Sequence, residues 1–146
     1  MRQPGKAVEA SFGDANGRFR VDWKLVQRDG SPYLREVVSI AALKQDEKIA
    51  KVSLLETQLV DAEVVGSVNG SPVVAGNVYL GFENPQSDSA VRHNDVQLTL
   101  TRTLPLEKGK TVDYSAVVGV VRDGQLRRDF ASYVERERAH PYRPFL

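Results

Sequence analysis

The fold is indicated first by residues 19–26, FRVDWKLV, in which apolar and polar side chains alternate along the first part of the stretch. Such alternation predicts a β-strand with one buried face, because successive side chains of a strand point to opposite sides. A slip of one residue would expose the whole apolar set, so the register is well defined. We therefore expect four side chains to be mostly buried: Phe19, Val21, Trp23 and Leu25.

Similar signals recur on both sides of this strand. Turn-forming residues at 14–17, 29–32 and 69–72 separate β-rich runs. Asn69-Gly70 is the strongest hairpin signal among them, because both residues tolerate positive φ. The runs lie at 7–12, 33–43, 49–55, 62–68, 73–80, 91–103 and 111–121. About eight or nine short strands with closely spaced turns predict a mainly β protein, an antiparallel β-sandwich.

The hydrophobic period changes to that of a helix after residue 124. Asp123-Gly124 offers an N-cap, and Pro141 lies shortly after the expected C-terminus. The predicted helix runs from about Gln125 to about Ala139. Its predicted inward stripe is Leu126, Phe130, Tyr133, Val134 and Glu137. We divide the chain into a β-sandwich over 1–124 and a helix with a linker over 125–146.

The composition argues against several kinds of partner. Twenty basic and nineteen acidic residues leave a net charge of +1, which gives no case for nucleic acid or an anionic membrane as a partner. No apolar run approaches the roughly 18 residues of a membrane span. The chain has no cysteine and only two histidines, so we predict no metal site and no cofactor.

The sequence offers no recognisable catalytic set. Neither His93 nor His140 is near a serine on a strained turn, as a Ser-His-Asp site requires. A pair of carboxylates can hydrolyse glycosides, but on alternating strands most acids mark the solvent face. The acids considered for such a pair are Glu56, Asp61, Glu63, Glu83, Asp88 and Asp95. We therefore predict no catalytic residue.

The loop at 81–88, GFENPQSD, is the most unusual local feature. It follows a strand, places a carboxylate beside an amide and is stiffened by Pro85. One interpretation is a capped turn, and the other is a loop that presents polar groups to a ligand or a neighbouring domain. Glu83 and Asn84 are accordingly the candidates for ligand or interdomain contact.

Three segments resemble large bacterial proteins related to glycoside hydrolase family 36, the α-galactosidase-like enzymes, some of which carry the name enterotoxin. The segments are 63–85 (EVVGSVNGSPVVAGNVYLGFENP), 124–130 (GQLRRDF) and 135–146 (ERERAHPYRPFL), and the resemblance spans about 62–146. It implies an N-terminal sandwich of the galactose-mutarotase-like, supersandwich-like kind, packed on a (β/α)8 barrel that holds the catalytic aspartates. Those aspartates would follow Leu146. The family often has His-Pro where this chain has Asn84-Pro85.

The closing residues HPYRPFL end on an apolar pair, and we expect more protein beyond them. Tyr142 and Phe145 are the predicted interdomain contacts of this tail. The expected function is a non-catalytic domain that supports the barrel of the same polypeptide, with carbohydrate as a further candidate partner. The alternatives are a free-standing carbohydrate- or protein-binding sandwich and, third, a self-contained lyase or hydrolase.

Overall fold

The computed structural model describes residues 4–137 as two antiparallel sheets and one helix, which confirms the predicted β-sandwich with its C-terminal helix. The strands are β1 Gly5–Gly13, β2 Phe19–Arg28, β3 Tyr33–Ala42, β4 Lys51–Gln58, β5 Glu63–Val64, β6 Val73–Ala75, β7 Val78–Phe82, β8 Asp88–Arg92, β9 Asp95–Thr101 and β10 Thr111–Val120. The helix α1 is Leu126–Glu137.

The two sheets differ in width. The large sheet has seven strands in the order β1-β2-β3-β10-β7-β6-β5, and the small sheet has three in the order β4-β9-β8. In the stack, β4 contacts β10, β9 contacts β7 and β8 contacts β5. The small sheet therefore lies over the β10-β7-β6-β5 half of the large sheet and not over β1 and β2.

The main core lies between the sheets. Alternate residues of the facing strands point into it, and Leu98 at its centre is fully buried. Phe82 and Tyr114 meet edge to face with ring centroids 6.2 Å apart. The buried members of this core are Val52, Val73, Leu80, Phe82, Val96, Leu98, Leu100 and Tyr114.

A second core forms where α1 lies on the outer face of the large sheet. Tyr133 packs edge-on against Tyr33 at 5.1 Å, and Phe130 packs edge-on against Tyr79 at 5.5 Å. The prediction that this helix docks on a sheet is therefore confirmed. Val134, which was predicted to face inward, is instead 38% exposed.

The predicted burial of the β2 side chains is confirmed: Phe19, Val21, Trp23 and Leu25 share the inner face, and none of them is exposed. None of the four is fully buried either. The reason is the width of the small sheet, which ends over β10. Trp23 donates a hydrogen bond from Nε1 to Glu36 Oε1 at 2.6 Å.

Two predicted strands contain turns. The run 73–80 is β6 and β7, joined by Gly76 and Asn77, and Gly76 has a φ of +56°. The run 91–103 contains the turn at His93 and Asn94, whose φ values of +48° and +71° suit a two-residue hairpin. The predicted strand 62–68 is reduced to β5, because pairing with β6 stops at Val64.

The predicted N-cap is also wrong. The first helical hydrogen bond runs from the Asp129 N–H to the Gln125 carbonyl at 2.9 Å, so the helix begins after Gln125. Asp123 Oδ1 instead accepts a hydrogen bond from Asn77 Nδ2 at 2.7 Å. The side chain of Asp129 accepts the Arg122 N–H at 2.9 Å and thereby fixes the loop that leads into the helix.

Candidate functional site

A connected group of charged and hydroxyl side chains lies beneath α1, on the outer face of the large sheet. Alternation along β3 puts Tyr33 and Arg35 on this face, and Tyr133 and Glu137 are one helical turn apart on α1. We call the group the docking cluster. Its members are Arg28, Tyr33, Arg35, Glu83, Ser115, Tyr133 and Glu137.

Glu83 is fully engaged within the docking cluster. Arg35 Nε donates to Glu83 Oε1 at 3.0 Å and to Oε2 at 2.8 Å. The Ser115 hydroxyl donates to Oε2, and the Tyr133 hydroxyl donates to Oε1. Three elements, β3, β10 and α1, therefore meet at one carboxylate at the end of β7.

Glu137 is held in a similar way from the helix side. Arg28 donates to it twice, from Nε at 2.6 Å and from Nη2 at 3.0 Å, and the Tyr33 hydroxyl donates at 2.6 Å. Arg35 Nη1 lies 3.6 Å from Glu137 Oε2. Because Arg35 also holds Glu83, one guanidinium bridges the two carboxylates, and it links α1 to the sheet.

The electrostatics of the docking cluster favour fixed charges. Burial raises the pKa of Glu137, but hydrogen bonds from Arg28 and Tyr33 outweigh burial and hold this pKa below the usual 4.5. Burial, together with the charge of Glu83, raises the pKa of Tyr133. Burial lowers the pKa of Arg35, but the hydrogen bond to Glu83 and the charges of Glu83 and Glu137 together outweigh burial and raise this pKa. These shifts move the pKa values of Glu137, Tyr133 and Arg35 away from neutral pH. A general acid or base instead needs a pKa near the working pH.

The structure separates the two candidates of the 81–88 loop. Asn84 is part of a capped turn: its Oδ1 accepts the Gln86 N–H at 2.9 Å, and its carbonyl accepts the Ser87 N–H at 3.0 Å. Glu83 turns away from this loop into the docking cluster. Tyr142 and Phe145 lie outside the described residues.

The other acids considered do not join the docking cluster. Asp88 and Asp95 lie on the outer face of the small sheet, and Glu56 accepts a hydrogen bond from Ser53 at 2.8 Å. The carboxylate that does approach Glu83 is Glu137, which sequence reasoning did not single out as a site residue. The available signal was its place on the apolar stripe of the helix, because an inward-facing carboxylate needs a cationic partner.

A cavity of about 310 Å³ opens beside the docking cluster, between α1 and the 70–72 turn. Its walls are mainly apolar, and Phe130, Val134 and Pro72 are among them. Glu83 and Glu137 reach it as well, but both are bound to arginine. This cavity therefore lacks a free acid beside a free base.

Residues 4–137 contain no set of three or more acidic or histidine side chains placed to hold a metal ion. The helix found in the same range is too short and too polar to cross a membrane. No protein-family model matches the chain, and no curated protein matches it.

The docking cluster makes the stability depend on pH. The folded-state pKa of Glu137 lies below 4.5, so its contribution is fully present above that pH and is lost as the pH falls through the lower folded value. We expect the urea midpoint to fall as the pH drops below about 4.5. The Glu137→Gln variant should be less stable at neutral pH and should lose less on acidification. Parallel pH profiles for the two proteins would contradict this assignment.

Proposed function

We propose that this chain is a non-catalytic β-sandwich domain of a carbohydrate-active enzyme, a glycoside hydrolase of the α-galactosidase-like kind. In this proposal it supports a catalytic (β/α)8 barrel of the same polypeptide. The choice of enzyme class rests on the resemblance of residues 63–85, 124–130 and 135–146. The observation that favours a supporting domain is an apolar sheet face that no other described element covers.

This apolar face lies on the inner side of the β1–β2 hairpin. We call it the partner face, and its members are Val8, Phe12, Val21, Trp23 and Leu25. Val8 is 63% exposed and Phe12 is 57% exposed, although both lie on the side of the large sheet that forms the core. An exposed apolar patch that continues a core is typical of a surface that packs against another folded unit.

The opposite face of the same hairpin carries charged side chains. Its charges neutralise one another: Lys24 Nζ lies 2.5 Å from Glu9, and Arg20 Nε lies 3.1 Å from Asp22. The hairpin is therefore amphipathic, with one face suited to water and one suited to contact. If the apolar face also met solvent, its side chains would gain no stabilisation from burial.

Glu36 adds a polar feature at the border of the partner face. Its Oε2 is buried and has no hydrogen-bond partner among residues 4–137. Burial raises the pKa of this carboxyl, against the effect of the hydrogen bond from Trp23. A covering domain that brings a hydrogen-bond donor to Glu36 would satisfy this atom.

The state of the carboxylates favours a non-catalytic role. A glycosidase of the common kind needs one protonated carboxyl and one free carboxylate across the sugar. Glu83 and Glu137 are instead both engaged by arginine, and each also accepts hydrogen bonds from tyrosine. Their arrangement serves to hold α1 on the sheet.

The proposal predicts a longer polypeptide that contains the barrel, and that polypeptide is the one to test. The double substitution Val8→Lys and Phe12→Lys puts charge on the partner face. The matched control is Val60→Lys with Val68→Lys, because these valines are 74% and 75% exposed and lie outside that face. In the isolated chain, both pairs should change the unfolding free energy by only about 0.5 kcal/mol per site, as surface substitutions usually do.

In the longer polypeptide, the partner-face pair should lower glycosidase activity and make the junction between domains sensitive to protease. The control pair should leave both properties as in the wild type. Wild-type activity and protease resistance in the partner-face variant would contradict the proposal.

The alternative of a free-standing binding module has one observation in its favour, a groove on the small sheet whose polar groups are largely uncommitted. In that case the chain would bind carbohydrate without a catalytic barrel in the same polypeptide, and the partner-face substitutions would leave its function unchanged.

A further inference from the structure

A polar groove of about 500 Å³ runs across the outer face of the small sheet. The register of the strands aligns its side chains in rows, since Lys51 pairs with Thr101, Asp88 with Thr99 and Arg92 with Asp95. Three antiparallel strands thus supply the groove with a fixed framework. The residues that matter to its chemistry are Lys51, Asp88, Arg92, Asp95, Gln97 and Thr99.

Most polar groups of the groove are free to bind something else. Within residues 4–137, the side chains of Lys51, Asp88, Arg92, Gln97 and Thr99 form no hydrogen bond or ion pair with the protein. Asp95 is the exception, because it accepts a hydrogen bond from Gln58 Nε2 at 2.7 Å. Thr99 is only 7% exposed, so its hydroxyl lies at the floor of the groove.

Exposure to solvent alone does not explain why the polar side chains of the groove are unpaired. On the β1–β2 hairpin, side chains on an equally open face pair across the strands, as Lys24 does with Glu9 and Ser11 with Asp22. Arg92 and Asp95 are opposite each other across a tight turn and carry opposite charges, yet no ion pair joins them. The groove therefore presents donors and acceptors that are not paired with one another.

The charge balance limits the class of ligand. Two cations, Lys51 and Arg92, face two carboxylates, Asp88 and Asp95, so the groove has no net charge. A polyanion would meet the carboxylates, and a metal ion would meet the cations. Apolar ligands would leave the polar groups without partners.

We propose that the polar groove binds a short neutral glycan. Sugar hydroxyls both donate and accept hydrogen bonds, and the groove offers donors from arginine, lysine and amide groups beside acceptors from carboxylate, amide and hydroxyl groups. Its volume lies within the range of roughly 300–1,000 Å³ found for small-molecule sites. The partner face lies on the other sheet, so both surfaces are available at once. This inference deepens the proposed function. It rests on that proposal only for the class of ligand, which is carbohydrate in both.

The test is an NMR titration of the isolated chain, labelled with ¹⁵N, against neutral tetrasaccharides of glucose, xylose and galactose. A sulfated tetrasaccharide serves as the charged probe. At least one neutral probe should shift backbone amides of β8 and β9 in a saturable way, with a Kd of about 1 mM. Gln97→Ala should weaken that binding by about tenfold, which corresponds to the loss of one or two hydrogen bonds.

Gln27→Ala is the matched control, since Gln27 is an exposed glutamine on β2. It should leave the affinity unchanged. Thr99→Val keeps the shape of the side chain and tests whether the hydroxyl at the floor of the groove contributes to binding. If this variant does not fold, Asp88→Asn tests the contribution of the carboxylate in the wall of the groove. The inference is overturned if no neutral probe binds at about 10 mM, if the shifts lie away from β8 and β9, or if only the sulfated probe binds. Each of these results leaves the partner-face test of the proposed function unaffected.

Discussion

Gly119→Ala is expected to destabilise the protein by about 2–3 kcal/mol, the upper part of the range of about 1–3 kcal/mol for forcing an extra group into a packed core. Gly119 lies on β10 directly opposite Tyr79 on β7, and the tyrosine ring lies across it. A Cβ at this position would overlap the ring atoms of Tyr79. The ring has little room to move, because Tyr79 is 1% exposed and packs against Phe130 of α1.

The matched control for this effect is Gly81→Ala. Gly81 lies on the same face of the large sheet, but a Cβ there would meet Val117 Cγ1 at an ordinary 3.5 Å. We expect a cost below about 1 kcal/mol, because no neighbour has to shift. Urea unfolding monitored by circular dichroism measures both variants. If the two alanines cost the same, the overlap with Tyr79 is not the cause, and a smaller residue at position 79 should then fail to rescue Gly119→Ala.

Arg35→Ala is expected to have a similarly large effect, about 2–3 kcal/mol. Arg35 holds Glu83 through Nη2 at 2.6 Å and contacts Glu137 at 3.6 Å, so its removal leaves two carboxylates together without their shared cation. Removing one partner of a buried ion pair costs about 3–5 kcal/mol, and the 27% exposure of the Arg35 side chain reduces that figure. The measured quantity is the unfolding free energy at neutral pH.

Two further variants identify the reason for the loss. Arg20→Ala is the control, because Arg20 pairs with Asp22 at a side-chain exposure of 57%, and such pairs contribute at most about 1 kcal/mol. Adding Glu137→Gln to Arg35→Ala should recover part of the stability by removing one of the two like charges. A loss that Glu137→Gln does not relieve, or an equal loss for Arg20→Ala, would contradict the bridging role of Arg35.

The fold was largely predictable from the sequence because strand signals are local. The alternation in residues 19–26 predicted a strand and assigned its faces correctly. The partial exposure that these side chains keep was not predictable, because that of Trp23 depends on how many strands the opposite sheet contains. That number follows from pairings between distant residues, such as β4 with β9.

The candidate site was predictable only in part, for the same reason. Glu83 was selected because a carboxylate beside an amide after a strand is unusual. Its partners Arg35 and Tyr133 lie 48 and 50 residues away along the chain, so local pattern could not connect them. Asn84 looked equivalent in the sequence, yet its side chain caps its own turn. The turn at Gly76 was missed because the apolar run around it looked continuous.

We propose that the carboxylates of the docking cluster, Glu83 and Glu137, hold the helix on the sheet and do not act on substrate. The most direct measurement is the hydrolysis of aryl α- and β-glycosides by the isolated chain, assayed between about pH 4 and pH 8, where paired carboxyl groups act as acid and base. We predict no turnover above the uncatalysed rate. Turnover that disappears with Glu83→Gln or Glu137→Gln, in variants that remain folded, would contradict it.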